Sequence, residues 1–162
     1  MRDIKVAVLT ISDKASVGER EDKSGLLIKD LVEFEGGKVV EYKIVSDEMQ
    51  QIGSTLTEWA DKNIAQIIFT TGGTGLSERD VTPEATAKVI QRQAPGFSEA
   101  LRQQSFKETK KAILSRGISG IRGKTLIINL PGSTKAVDEC FKLLKPVLGH
   151  AVEILSGNTE HR

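Results

Sequence analysis

The sequence predicts an α/β layer fold with a mainly parallel central sheet, and three observations carry that expectation. Short apolar runs recur at residues 4–11, 39–45, 67–69 and 125–130, with helical periodicity between them. The first of these is apolar nearly throughout, as a strand covered on both faces is. Glycine, proline or small polar residues punctuate the ends of the runs.

In order, residues 4–11 read as the first strand. Leu27, Leu31 and Phe34 then recur at helical spacing until Gly36-Gly37 ends the pattern. After the strand at 39–45, Met49, Ile52, Leu56 and Trp59 mark one side of a second helix. The strand at 67–69 leads through a glycine-rich loop to Thr82-Pro83, where Thr82 suits a helix cap and proline its first turn. A helix is expected over 97–106, then a fourth core strand at 125–130. Val137, Phe141 and Leu144 line a helix that Pro146 kinks or restarts ahead of Val147, Ala151 and Ile154. No repeat, low-complexity tract or linker divides the chain, so residues 1–162 are read as one domain.

Composition narrows the chemistry. A net charge of +1 with 28% charged residues indicates neither a nucleic-acid nor a membrane partner. No apolar run approaches the roughly 18 residues of a span, and the first run is too short and wrongly flanked for a secretory signal, so a cytoplasmic location is expected. The single cysteine, Cys140, lies beside Phe141 on an apolar helix face and reads as a buried structural thiol rather than a nucleophile. His150 and His161 are the only histidines, too few for a zinc cluster or a Ser/His/Asp triad. Chemistry must rest on carboxylates, backbone amides and hydroxyls, with or without a bound ion.

The richest segment is the loop after the third strand: Thr71, Gly72, Gly73, Thr74, Gly75, and on to Asp80. Three glycines in four residues admit conformations closed to other residues and leave backbone amides free to surround an anion. The alternative is a tight corner with no ligand. The spacing is G-G-x-G, neither a dinucleotide G-x-G-x-x-G nor a Walker loop. Asp80 has no obvious structural task, although pairing with Arg79 is an alternative. Asp47 follows a strand and precedes a helix, so a cap with Gln50 in a loose capping box competes with a catalytic role. Two carboxylates on neighbouring loops suit Mg²⁺, which takes one or two protein carboxylates plus phosphate oxygens.

Gly123-Lys124-Thr125 resembles the end of a P-loop, but Ile118 stands where its first glycine belongs and the segment opens a strand. Pro131, Gly132 and Ser133 leave a strand and enter a helix, as a capped helix start or a second anion cradle. Lys107, Lys110, Lys111, Arg116 and Arg122 read as a solvated face, with phosphate contacts as the alternative. Residues 12–23 form a long charged loop, either mobile surface or a lid. In open parallel sheets, ligands sit beyond the carboxyl ends of the strands, and the loops leaving such ends are residues 12–23, Ser46-Asp47, residues 71–80 and residues 131–134.

Together these residues resemble the MogA/MoaB group of molybdenum-cofactor proteins. Thr71-Gly72-Gly73-Thr74-Gly75 with Arg79-Asp80-Val81-Thr82-Pro83-Glu84-Ala85-Thr86 is similar to that group's signature. So are Asp22-Lys23-Ser24-Gly25, Val45-Ser46-Asp47-Glu48, Leu114-Ser115-Arg116-Gly117, Gly120-Ile121-Arg122-Gly123 and the segment from Ile127 to Gly132. The resemblance covers almost the whole chain. It implies a three-layer α/β/α domain, commonly a homotrimer, with larger assemblies such as hexamers among relatives. It also implies molybdopterin adenylyltransferase activity, in which molybdopterin and Mg-ATP give adenylylated molybdopterin and pyrophosphate. Asp47 and Asp80 match the group's functional aspartates and would be both catalytic and Mg²⁺-binding. Thr71 to Gly75, Ser115, Pro131, Gly132 and Ser133 match positions lining its substrate groove. The implied partners are molybdopterin, ATP and a downstream molybdenum-insertion protein. Relatives often carry Asn-Pro or Gln-Pro where this chain has Ser133-Thr134. Two rival expectations are a molybdopterin carrier without turnover and a scaffold module like that in gephyrin; a nucleotide hydrolase is a third.

Overall fold

Alternate residues of the central strands point to opposite faces of one sheet, and each face carries its own core. The structure, a computed structural model, describes residues 1–158; His161 lies outside them. The elements are β1 (Lys5–Ile11), α1 (Asp13–Ser16), α2 (Lys23–Phe34), β2 (Lys38–Val45), α3 (Met49–Asp61), β3 (Ile67–Thr71) and α4 (Thr82–Val89). They continue with β4 (Arg92–Gln93), α5 (Pro95–Glu108), a 3-10 turn (Lys110–Leu114), β5 (Ser119–Arg122), β6 (Thr125–Leu130) and α6 (Thr134–Ser156).

The sheet has six strands in the order β2-β1-β3-β6-β5-β4. β1 pairs parallel with β2 and β3, and β3 parallel with β6, while β5 pairs antiparallel with β6 and β4. On one face Val6, Val8, Phe69 and Ile128 pack against Ile28 and Val32 of α2, Leu101 of α5 and Phe141 of α6. On the other, Ala7, Leu9, Ile68 and Ile127 pack against Ile52, Leu56 and Trp59 of α3 and Ala85 and Val89 of α4. The result is the three-layer α/β/α arrangement that the sequence led us to expect.

The chain passes from β1 outward to β2 and then back across to β3 on the other side of β1. The loops leaving β1 and β3 therefore diverge at the carboxyl edge. Such a switch point opens a crevice there.

The structure departs from the sequence expectations at several points. β4 and β5 were not foreseen, because they are short and form an antiparallel edge rather than an apolar run. Gly123 and Lys124 are the two-residue turn of the β5–β6 hairpin, with Gly123 at φ 57°, the sign that a turn with glycine first requires. Pro146 does not interrupt α6, which runs as one 23-residue helix. Pro146 is exposed, and so is Lys142, whose carbonyl loses its helical partner to the proline and can turn to water. The apolar face therefore continues in register through Leu148 and Val152, not Val147 and Ile154, which are exposed. On α2 the buried apolar side chains are Ile28 and Val32, with Leu27 and Leu31 partly buried and Phe34 left 87% exposed. Finally, residues 12–23 begin with the short helix α1, capped by Ser12.

Candidate active site

The glycine loop is held from behind by its own carbonyls. Gly72 and Gly73 take φ of 96° and 66°, a region that side chains bearing Cβ rarely enter. Thr82 donates its hydroxyl to the Gly72 carbonyl (3.0 Å) and its amide to the Gly73 carbonyl (3.1 Å). Arg116 does the same for the next two residues, with its amide on Thr74 O (2.9 Å) and Nε on Gly75 O (2.8 Å). Four consecutive carbonyls are thus each engaged by a donor from outside the loop. Among the described residues the amides of Gly73, Thr74 and Gly75 donate to no acceptor, and that of Gly72 makes only a long bond to Leu130 O (3.4 Å). Successive free amides beside a bend of this kind form an anion-binding concavity. Thr71 fixes the start of the loop by donating its hydroxyl to Pro131 O at 2.7 Å.

Thr82 is therefore not the cap of α4; Val81 holds that position and Thr82 is spent on the loop. Arg116 leaves the basic stretch in the same way. It also reaches the Asp80 carbonyl and the Glu84 carboxylate. Arg122 pairs with Asp61 and donates to Val89 O, so neither arginine belongs to a solvated face. Lys107, Lys110 and Lys111 remain exposed.

Both carboxylates lie against this loop. A methyl group on Gly73 would stand 3.1 Å from Asp47 Oδ1, and one on Gly75 would stand 2.8 Å from Asp80 Oδ2. Asp80 is held by the Ser77 amide, which donates to its Oδ2 at 3.2 Å. It does not pair with Arg79. Asp47 is not the cap of α3 either; Glu48 holds that place without a side-chain bond. Instead the Asp13 amide donates to Asp47 Oδ2 (2.8 Å), and the Asp47 amide donates to Asp13 Oδ1 (3.0 Å). Burial pushes the Asp47 carboxyl above its usual range; the Asp13 amide opposes this, and the charges of Asp13 and Asp80 add to it. Asp13 itself is held below the usual range, chiefly by its hydrogen bonds from Arg79.

The loop and Pro131-Gly132 divide two cavities. Thr71, Gly72, Gly73, Gly132 and Ser133 line an open polar cleft of about 920 Å³, together with Asp47 and Asp80. Thr74, Gly75 and Pro131 line a mainly apolar cavity of about 280 Å³ on the other side, and Ser115 lies there. Of the residues expected to be catalytic or to bind substrate, Ser115, Thr74, Gly75 and Pro131 fall outside the cleft that holds the two aspartates. Ser133 caps α6, accepting from the Ala136 amide at 3.2 Å. Cys140 is buried and its thiol is pushed up to about 11 by burial, which agrees with a structural thiol.

Sequence reasoning missed Asp13 and, although it named the segment Asp22-Lys23-Ser24-Gly25, the part that Asp22 plays. Asp22 is only 7% exposed, caps α2 through the Gly25 amide (2.9 Å) and accepts from Thr10 Oγ1 (2.6 Å) and the Tyr42 hydroxyl. An aspartate three residues before a buried glycine was the available cap signal. Nothing local marked Asp13.

Among the described residues no three His, Cys, Asp or Glu side chains converge to hold a metal alone. Asp47 and Asp80 line one cleft, and two protein carboxylates are the number that Mg²⁺ typically takes beside water and phosphate oxygens.

Comparison with known proteins places the chain in a family. The probable molybdopterin binding domain family matches residues 7–150. The chain is 43% identical over 160 residues to the molybdopterin adenylyltransferase of Helicobacter pylori strain J99, across 98% of this chain and 91% of the relative. It is 39% identical over 160 residues to molybdenum cofactor biosynthesis protein B of Staphylococcus carnosus, across 96% and 92%. The crystal structure of the molybdopterin biosynthesis enzyme MoaB from Thermus thermophilus superposes with a TM-score of 0.89 at 43% identity, covering 95% of this chain and 97% of that one.

Proposed function

The chain belongs to the molybdopterin binding domain family, and we propose that it is a molybdopterin adenylyltransferase of molybdenum cofactor biosynthesis. A terminal phosphate oxygen of molybdopterin attacks the α-phosphorus of ATP. The bond from that phosphorus to the bridging oxygen breaks, and pyrophosphate leaves. The observation that carries this reading is the glycine loop, with its four carbonyls engaged, three of its amides free and two carboxylates against it.

Transfer of this kind asks little covalent chemistry of the protein; alignment and charge stabilisation suffice. The amides of Gly73, Thr74 and Gly75 hold phosphate oxygens where charge builds. Asp47 and Asp80 would hold Mg²⁺, which supplies charge neutralisation at the leaving pyrophosphate. The polar cleft suits the triphosphate. The apolar cavity beside Ser115 and Pro131 suits a flat ring system.

A homotrimeric assembly and a cytoplasmic setting complete the proposal. No helix among the described residues is long and apolar enough to cross a membrane. The test is mass detection of adenylylated molybdopterin after incubation with molybdopterin and Mg-ATP. Tight molybdopterin binding with no adenylylated product would make the protein a carrier instead.

A further inference from the structure

Asp47 must present its carboxylate in one orientation, yet it sits on a bend with no helix cap to fix it. What holds it is a closed exchange with Asp13. The Asp13 amide donates to Asp47 Oδ2 (2.8 Å) and the Asp47 amide returns a bond to Asp13 Oδ1 (3.0 Å). Arg79 then closes on Asp13 with two bonds, Nε to Oδ2 (3.0 Å) and Nη2 to Oδ1 (2.8 Å), while Nη1 reaches Glu48 at 3.0 Å. One guanidinium therefore ties three segments: α1, the bend between β2 and α3, and the loop that carries Asp80.

We propose that Asp13, locked by Arg79, is a positioning residue that fixes the Asp47 carboxylate relative to the glycine loop. This rests on the adenylyltransferase reading and adds two residues to it. The geometry favours positioning over substrate contact, because two of the arginine's nitrogens are engaged by Asp13 and the third by Glu48. Partners that orient a metal-binding or catalytic carboxylate commonly change activity by about 10–100-fold when removed. An exposed ion pair that only adds stability would leave turnover alone.

The test compares Asp13→Ala, Asp13→Asn and Arg79→Gln with the natural chain in kcat, in KM for ATP and molybdopterin, in melting temperature, and in amide exchange over residues 46–49. Asparagine keeps a carbonyl oxygen for the Asp47 amide, so it separates hydrogen bonding from charge. The expected result is a kcat about tenfold lower in Asp13→Ala and in Arg79→Gln, with both KM values nearly unchanged. Substantial recovery in Asp13→Asn and faster exchange of the Asp47 amide in Asp13→Ala complete the pattern. Full turnover in Asp13→Ala overturns the proposal, as does a loss that appears only in KM for ATP, or only in step with melting temperature. A natural chain that makes no adenylylated product refutes the adenylyltransferase reading instead. The amide-exchange comparison then judges the positioning of Asp47 without it.

Discussion

Gly75 and Asp80 face each other so closely that a methyl group on the glycine would stand 2.8 Å from the carboxylate oxygen Oδ2. The obstacle is the far end of a side chain, so Gly75→Ala should move the carboxylate rather than unfold the loop. We expect a melting temperature close to that of the natural chain and a turnover lower by about tenfold or more, since small misplacements at a reacting centre are costly. Parallel melting curves and pyrophosphate assays check both halves.

Gly72→Ala should behave differently. Its methyl would lie 2.3 Å from the Ile11 carbonyl, which is backbone, at a φ of 96°. Strain and overlap together predict a loss of roughly 2–4 kcal/mol in folding stability. Denaturant unfolding measures it, and a stability equal to that of Gly75→Ala would contradict the distinction.

Asp22 gathers Thr10, Tyr42 and the Gly25 amide in a buried cluster at the edge of the cleft. Asp22→Ala removes a helix cap and strands buried donors, so a loss of about 2–4 kcal/mol is expected. The cluster also predicts a pH dependence. Burial, with help from Asp22, raises the Tyr42 phenol above its ordinary 10.0. The folded state thus keeps the proton longer than the unfolded one. This contribution is fully present below pH 10.0 and is lost as pH climbs through the raised value. Tyr42→Phe should flatten the alkaline fall in stability relative to the natural chain; identical slopes above pH 10.0 would exclude the link.

Cys140 borders the apolar cavity, yet its thiol is raised to about 11 by burial. Only thiolate reacts readily, so alkylation at neutral pH should be at least about 100-fold slower in the folded chain than in the unfolded one. Comparable rates would mean that the cavity opens to reagent.

The parallel half of the sheet was legible because β1, β3 and β6 are buried almost throughout and are mostly apolar. The antiparallel edge was not, since β4 has two residues and β5 contains glycine and serine. The glycine loop, too, could be read locally, because its conformational demand is written in residue type. The partners that shape it could not. Thr82 looked like a cap and Arg116 like surface, because nothing near either in sequence reveals that they meet the carbonyls of residues 72–75. Asp47 and Asp13 are 34 residues apart, and only the fold brings their amides and carboxylates together.

The most direct test of the central claim is pyrophosphate release from Mg-ATP, with and without molybdopterin, by the natural chain and by Asp80→Asn. Release should require molybdopterin and fall by about 10²-fold or more in the variant, with its melting temperature preserved. Release at the natural rate from Asp80→Asn, or none from the natural chain despite tight molybdopterin binding, would contradict it.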